Sequence, residues 1–184
     1  SVLFALERIG IKAKCTYQKK DILNASHVIL PGVNAAPIGM KKLIEHDLVS
    51  LITELKQPVL GICLGMQLLY NISEEFGVHK GLGLLQGRIV KFHEGSLKIP
   101  HMGWNKLQSK MTHSLLKNLD QDAYVYYVHS YYASEIESST LIGYSDYGVN
   151  VPGIVMKDKI IGFQFHPEKS HRFGMQLIKN FVEL

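Results

Sequence analysis

The stretch PVLGICLGMQLLY, residues 58–70, places a single cysteine between two glycines. The segment PVLGI (58–62) is a continuous apolar run, which is typical of a strand buried on both faces. Apolar residues then recur at helical spacing and predict a helix over residues 64–76. A strand that turns directly into a helix at Cys63 is compatible with a buried structural thiol. It is also compatible with a nucleophile raised above the carboxyl edge of a sheet.

The residues upstream repeat the same alternation of strands and helices. HVILPG (27–32) predicts a second buried strand, and a helical pattern follows it over residues 40–55. IKAKCTY (11–17) alternates with period two and predicts another strand, preceded by a helical pattern that Gly10 closes. Strands that alternate with helices indicate a parallel sheet with right-handed crossovers.

The second half of the chain is rich in strand-like segments separated by turn residues. They are residues 81–93, 98–107, 123–133 and 140–148. A hairpin over 151–170 around Asp158-Lys159 follows them, and then a closing helix over 173–184 with Leu177, Ile178 and Phe181 predicted to point inward. The sequence therefore predicts an α/β fold in one domain, residues 1–184. We expect three layers, with a mostly parallel central sheet flanked by helices and additional antiparallel strands.

Composition narrows the possible functions. Hydrophobic residues make up 46% and charged residues 20% of the chain, which is ordinary for a globular protein. No apolar run reaches the length of a membrane span, and the net charge of +4 comes from scattered lysines, so we expect neither membrane nor nucleic-acid binding. Cys15 and Cys63 lack metal-ligand spacing, so we expect no metal and no cofactor. The start SVLFALERIG lacks a secretion signal, and a cytoplasmic location is expected.

The environment of Cys63 suits a nucleophile. Gly61 and Gly65 provide the small neighbours that a sharp strand-to-helix turn requires. The positive end of the helix favours thiolate over thiol. The N–H group of Leu64 is placed to stabilise an oxyanion.

A nucleophilic cysteine requires a base, and among nine histidines His166 is the best candidate. It ends an apolar strand in GFQFHPEKS and precedes Pro167, which is predicted to hold the segment extended. Residues i and i+2 of an extended segment point the same way, so Glu168 can accept a hydrogen bond from the imidazole. The alternative is a surface turn with a solvated histidine.

The loop PGVN, residues 31–34, follows a predicted strand and offers further N–H groups at Val33 and Asn34. They would stabilise an oxyanion if this strand neighbours the strand before Cys63. A plain connecting loop is the alternative, and sequence alone does not decide between the two.

Four motifs occur in order along the chain: GICLGMQLL (61–69), PHMGWN (100–105), YVHSYY (127–132) and FHPEKS (165–170). With them the chain resembles the class I, triad-type glutamine amidotransferases over essentially its whole length. Within that class it is most similar to the glutaminase subunits of imidazole glycerol phosphate synthase, which act in histidine biosynthesis.

The resemblance implies a role for each matching residue. Cys63 would form a thioester with glutamine, His166 would act as base and acid, and Glu168 would orient it. Leu64, Val33 and Asn34 would supply the oxyanion hole. Glutamine would be held by Gln67, Glu75, Ser130 and Tyr131.

The resemblance also implies a partner, a (β/α)8-barrel synthase subunit that forms a heterodimer with this chain and receives its ammonia. The matching residues at this interface are Trp104, Asn105, Tyr126 and Lys169. The alternative for Trp104, which lies in an expected loop, is an ordinary core aromatic. Tyr126, in an alternating strand, could equally be core, and Lys169 could be a solvated surface lysine.

The sequence departs from the family pattern in three places. Asn34 stands where the family usually has glycine, so we expect a reduced glutaminase rate. The resemblance implies a first buried strand that the sequence does not include before Ser1. If the purified chain lacks that strand, we expect low stability or an oligomer that covers the gap. Residues 170–173, SHRF, resemble a branch that supplies ammonia for acetamidino sugars of surface polysaccharides.

Two hypotheses from different classes compete with an ammonia-supplying glutaminase. The first is a catalytically silent subunit that only binds and stabilises the barrel, which the departures at Asn34 and at the first strand motivate. The second is a cysteine hydrolase with an unrelated substrate, which the motifs that match the barrel-facing surface disfavour.

Overall fold

The structure is a computed structural model that describes residues 1–93, 95 and 97–184. Its helices are α1 (Val2–Arg8), α2 (Lys19–Asn24), α3 (Ala36–Glu45), α4 (Val49–Glu54), α5 (Leu64–Leu68) and α6 (His171–Val182). Its strands are β1 (Val28–Leu30), β2 (Val59–Ile62), β3 (Tyr70–Ser73), β4 (His79–Lys80), β5 (Leu85–Lys91), β6 (His101–Lys106), β7 (Gln108–Ser109), β8 (Tyr124–His129), β9 (Tyr131–Ser134), β10 (Leu141–Asp146), β11 (Asn150–Lys157) and β12 (Ile160–Phe163). Short 3-10 turns cover Ser114–Leu116, Ser138–Thr140 and Pro167–Lys169.

A six-stranded sheet in the order β1-β2-β12-β11-β10-β7 forms the centre of the fold. Its first three strands are parallel, and the remaining three are added in antiparallel fashion. A four-stranded sheet, β4-β3-β5-β9, and a two-stranded sheet, β6-β8, lie outside it. Because β2 lies between β1 and β12, the loops that follow these three strands meet at one edge.

Helices cover both faces of the central sheet. On one face, Leu30 of β1 packs into a buried cluster with Leu43 of α3 and Leu68 of α5. On the other face, Leu60 of β2 packs into a second cluster with Leu177 of α6. Helix, sheet and helix form three layers. The predicted α/β class with parallel strands and additional antiparallel strands is confirmed.

The prediction of a strand over residues 11–17 is wrong. This segment has no strand partner in the described part of the chain, and most of its side chains are exposed. Its alternation therefore finds no neighbouring strand to pair with, and a strand is not formed by the pattern alone. The strand predicted over 27–32 exists as β1, but as an edge strand whose three residues are only partly buried.

Two predicted helices are shorter than expected. The helix over 40–55 is interrupted at Asp47, whose φ of 53° ends α3 before α4 begins. The helix over 64–76 ends at Leu68. The carbonyl of Leu69 accepts hydrogen bonds from Leu84 and Leu85, so the chain continues as β3 beside β5.

The C-terminal elements agree with the predictions. The hairpin turns at Asp158, with φ of 53°, and joins β11 to β12. In α6 the predicted inward residues Leu177, Ile178 and Phe181 are fully buried. Among the described residues no helix is long and apolar enough to cross a membrane.

Candidate active site

Cys63 lies at the turn between β2 and α5, with φ of 53° and ψ of −110°. Its backbone N–H donates to the carbonyl of Phe163 in β12 at 2.7 Å. The flanking glycines make this turn possible. A Cβ atom on Gly61 would lie 2.6 Å from the backbone of Gly65, and one on Gly65 would lie 1.7 Å from the carbonyl oxygen of Leu30. The helix start is thereby pressed directly onto β1.

His166 and Glu168 lie together beyond the end of β12. The imidazole Nδ1 donates to Glu168 Oε1 at 3.0 Å, and the two side chains are 6% and 5% exposed. His166 has extended backbone angles, but Pro167–Lys169 forms a 3-10 turn, so the prediction of a fully extended segment is wrong. The turn nevertheless brings the carboxylate to the imidazole. The alternative of a solvated surface histidine is excluded by this burial.

The electrostatics of this pair favour a charged imidazole. Burial lowers the pKa of His166, but the combined effects of the neighbouring Cys63 and Glu168 side chains outweigh burial and raise the pKa to about 9. Burial acts to raise the pKa of Glu168. The hydrogen bond from His166, the charge on His166, a backbone hydrogen bond and the charge on Lys169 together outweigh burial, so that the carboxyl pKa is lowered. The structure thus places Cys63 beside the hydrogen-bonded pair of His166 and Glu168. The catalytic roles of the three residues stay a prediction.

Gln164 is a neighbour of Cys63 that the sequence analysis missed. It is fully buried, and its Nε2 lies 4.0 Å from the Cys63 sulfur. Its Oε1 accepts from Gln67 Nε2 at 3.0 Å, and Gln67 Nε2 also donates to the carbonyl of Tyr131 at 2.9 Å. The available signal was an amide side chain within the apolar segment GFQF, because a buried polar group requires partners.

The loop after β1 lies against the start of α5. A Cβ atom on Gly32 would be 2.9 Å from the Cβ of Leu64. Asn34 has φ of 88°, a conformation that favours glycine, and Val33 is 71% exposed. The predicted oxyanion donors Leu64, Val33 and Asn34 therefore come from neighbouring segments, as β1 and β2 are adjacent strands. Their role stays a prediction.

The predicted glutamine-binding residues surround this region in different ways. Gln67 and the Tyr131 carbonyl are hydrogen-bonded to each other. Ser130 joins β8 to β9, and its carbonyl accepts from Phe92 at 3.1 Å. Glu75 caps helix α3, because its Oε2 accepts from the Ala36 N–H at 2.7 Å. Glu75 thereby anchors the loop that carries Asn34.

Three of the four predicted interface residues form one exposed patch. Trp104 is 46% exposed and contacts Tyr126 edge to face at 5.8 Å, and Lys169 Nζ lies 5.7 Å from the centre of the Tyr126 ring. His171, which the sequence analysis did not assign, stacks on Trp104 with ring centres 4.9 Å apart. Asn105 is different. Its amide donates to His101 and to the Asp146 carbonyl, away from this patch.

Residues 5–184 match the family described as glutamine amidotransferase class-I. The chain belongs to this family. This class I amidotransferase is 50% identical over 184 residues to "Imidazole glycerol phosphate synthase subunit HisH" of Bacillus cereus (strain B4264), which covers 98% of this chain and 87% of that one. It is 45% identical to the subunit of the same name from Desulfitobacterium hafniense (strain DSM 10664 / DCB-2), with the same coverage. It is 43% identical to "subunit HisH 2" of Pseudomonas aeruginosa, over 100% of this chain and 93% of that one.

Solved structures support the same fold. A crystal structure of a glutamine amidotransferase superposes with a TM-score of 0.77 at 19% identity, covering 99% of this amidotransferase and 90% of that chain. A glutamine amidotransferase from Thermotoga maritima gives a TM-score of 0.60 at 20% identity, covering 95% and 66%. Within the described residues, no group of three or more histidine, cysteine, aspartate or glutamate side chains is arranged to hold a metal ion.

Proposed function

We propose that the chain is the glutaminase subunit of imidazole glycerol phosphate synthase, which hydrolyses glutamine and supplies ammonia for histidine biosynthesis. The observation that carries this proposal is the placement of Cys63, at the end of β2, beside the hydrogen-bonded pair of His166 and Glu168 that follows β12. Relatives that carry the name of this subunit, at 43% to 50% identity over nearly the whole chain, support the same activity and pathway.

In the first half of the reaction the Cys63 sulfur attacks the carboxamide carbon of glutamine. The C–S bond forms as the carbonyl π electrons move to oxygen, and the N–H groups of Leu64 and of the Val33–Asn34 peptide stabilise that oxyanion. When the oxyanion collapses, the C–N bond breaks. His166 gives its proton to the departing nitrogen, which leaves as ammonia, and a γ-glutamyl thioester remains on Cys63.

In the second half, water attacks the thioester while His166 accepts its proton. The C–S bond breaks, glutamate leaves, and the starting thiolate and imidazolium are restored. Glu168 keeps the imidazole oriented, since its carboxylate accepts the hydrogen bond from Nδ1–H throughout. The glutamine would be bound by Gln67, Glu75 and the Ser130–Tyr131 backbone. Gln67 is hydrogen-bonded to Gln164, whose amide in turn contacts the Cys63 sulfur.

We further propose that the partner is a (β/α)8-barrel cyclase subunit in a cytoplasmic heterodimer. The exposed patch of Trp104, Tyr126 and Lys169 supports a docking surface, since aromatic side chains are enriched at the centres of interfaces. Asn105 is hydrogen-bonded to His101 and Asp146 away from this patch, so its contribution to the interface would be indirect. We propose that residues 1–184 work as one domain, which the family match over residues 5–184 supports.

Labelling of Cys63 tests the proposed chemistry. A diazo-ketone analogue of glutamine should alkylate Cys63 in the complex with the barrel subunit, as read by mass spectrometry of the digested chain. The exposed Cys15 provides a matched control, because Cys15→Ala should retain the adduct and Cys63→Ala should lose it. Absence of an adduct on Cys63 in the complex would favour the silent subunit instead.

Growth tests the pathway. The chain and its barrel partner should restore growth of a histidine auxotroph that lacks its own glutaminase subunit, whereas Cys63→Ala should not at low ammonia. Failure to complement, together with normal labelling of Cys63, would indicate that the ammonia is supplied to another acceptor, such as the sugar of a surface polysaccharide.

A further inference from the structure

Two buried histidines form a chain of hydrogen bonds that the proposed reaction does not use. His129 Nδ1 lies 2.8 Å from the carbonyl oxygen of Tyr131, and His129 Nε2 lies 3.1 Å from His101 Nδ1. His101 Nε2 lies 3.2 Å from the amide nitrogen of Asn105. His101 and His129 are only 3% and 6% exposed.

Elementary chemistry fixes the direction of every bond in this chain. A carbonyl oxygen only accepts, so His129 carries its proton on Nδ1, and the Nε2 of a neutral imidazole must accept. His101 then donates from Nδ1 and accepts at Nε2 from the Asn105 amide. The second amide proton of Asn105 goes to the Asp146 carbonyl at 2.8 Å, so each donor has one acceptor. The chain therefore requires both imidazoles to be neutral.

The surroundings keep both rings neutral and fixed. Burial lowers the pKa of His101 to about 4 and that of His129 to about 3. The His101 ring is stacked between Tyr127 and Tyr147, with ring centres 4.5 and 3.9 Å away. A ring held on both faces cannot rotate away from its acceptor without unpacking these aromatics.

This chain of hydrogen bonds leads to the proposed nucleophile, Cys63. The Tyr131 carbonyl that accepts from His129 also accepts from Gln67, which donates to Gln164, whose amide lies 4.0 Å from the Cys63 sulfur. We propose that His101 and His129 are positioning residues that hold the Tyr131 carbonyl, and through it Gln67, in register with Cys63 for glutamine binding. This inference rests on the proposed glutaminase function.

A comparison of variants at His129, made in the complex with the barrel subunit, tests the inference. His129→Phe keeps a ring of similar size but removes the donor to Tyr131. We expect KM for glutamine to rise about tenfold, equivalent to about 1.4 kcal/mol, with kcat changed less than about threefold. His129→Asn, whose amide can occupy the Nδ1 position and still donate, should recover most of the loss.

Alkylation separates positioning from general disruption. In His129→Phe the diazo-ketone analogue of glutamine should label Cys63 more slowly, because it must occupy the glutamine site. Iodoacetamide, which needs no such site, should label Cys63 at the wild-type rate. His113→Phe is the matched control: its imidazole also bonds a backbone group, the Leu115 N–H, and its loss should leave KM and both labelling rates unchanged.

The outcomes are distinguishable. If wild type releases no ammonia from glutamine, the proposed function fails and this inference fails with it. If wild type is active but KM in His129→Phe stays within about twofold, or if iodoacetamide labelling slows as much as analogue labelling, the inference alone is wrong. Should His129→Phe not fold, His101→Met removes the donor to His129 and must raise KM in the same direction.

Discussion

At the scale of single residues, Cys63 holds a backbone conformation that an L-amino acid rarely adopts. Its φ of 53° and ψ of −110° cost on the order of 1–3 kcal/mol, which the surrounding packing must offset. The close approaches at Gly61 and Gly65 and the bond from Cys63 N–H to Phe163 hold it there. The result is a cysteine sulfur held at a sheet edge, next to His166.

Substitution of Glu168 tests the charge on His166. Glu168→Gln keeps the size of the side chain and an oxygen that can accept, but removes the negative charge. The pKa of His166 should fall from about 9 toward its ordinary value, and kcat should fall by about 100-fold. The pH dependence of kcat measures both effects. An unchanged profile would show that Glu168 does not support the imidazolium.

Substitution of Asn34 tests the oxyanion hole. The φ of 88° at Asn34 is one that glycine adopts freely and asparagine adopts at a cost. Asn34→Gly should therefore let the Val33–Asn34 peptide turn its N–H toward the substrate and raise kcat with the barrel subunit several-fold. A partner-stimulated rate equal to wild type would contradict the expectation that Asn34 limits this chain.

Sequence reasoning could single out Cys63, His166 and Glu168 because each carries a local pattern that chemistry explains. It missed Gln164, His101 and His129, whose partners are distant in the chain. Gln164 pairs with Gln67 across 97 residues, and His101 with His129 across 28. Such pairings follow from sheet topology, which no local pattern contains.

At the scale of elements, the site depends on how tightly α5 lies on β1. The carbonyl oxygen of Leu30 occupies the space where a side chain at position 65 would begin. The same contact brings the loop after β1 beside Leu64, where both groups of predicted oxyanion donors meet. The packing of α5 on β1 therefore determines where the predicted oxyanion donors lie.

Addition of one methyl group tests that packing. Gly65→Ala places a Cβ 1.7 Å from the Leu30 oxygen, so the strand and the helix must separate. We expect a loss of about 3 kcal/mol or more in the free energy of unfolding, together with loss of glutaminase activity. Urea denaturation measures it. Gly95→Ala is the control, because no described atom lies within 4 Å of its Cβ position; equal stability of the two variants would refute the contact.

The elements themselves were predictable where one face is buried. The apolar residues Leu177, Ile178 and Phe181 predicted α6, because they recur at the spacing that places them on one face of a helix. The alternation in residues 11–17 failed, because a strand needs a partner as well as a pattern. Helix α5 ended early because its last carbonyls bond to residues 82–85, a tertiary effect invisible in local propensity.

At the scale of the whole molecule, buried histidines titrate in opposite directions. His101 and His129 stay neutral in the folded protein and bind protons when it unfolds. Their contribution to the free energy of unfolding is therefore present above about pH 6.5 and is lost as the pH falls toward 4. His166 stays charged when folded, so its contribution is complete below about pH 6.5 and lost as the pH rises toward 9.

The free energy of unfolding should therefore be largest near neutral pH. Each histidine contributes a slope of up to about 1.4 kcal/mol per pH unit within its own window. His129→Phe should flatten the acid side, and Glu168→Gln should flatten the alkaline side, as measured by denaturation at a series of pH values. Parallel curves for wild type and both variants would show that these groups do not titrate as described.

The proposed function depends on the release of ammonia from glutamine by Cys63 for a partner subunit. The most direct measurement is the rate of ammonia release with and without the barrel subunit, for wild type and for Cys63→Ala. Wild type should release ammonia, at the highest rate in the complex, and Cys63→Ala should release none in either state. Release that persists in Cys63→Ala, or no release by wild type with the barrel subunit present, would contradict it.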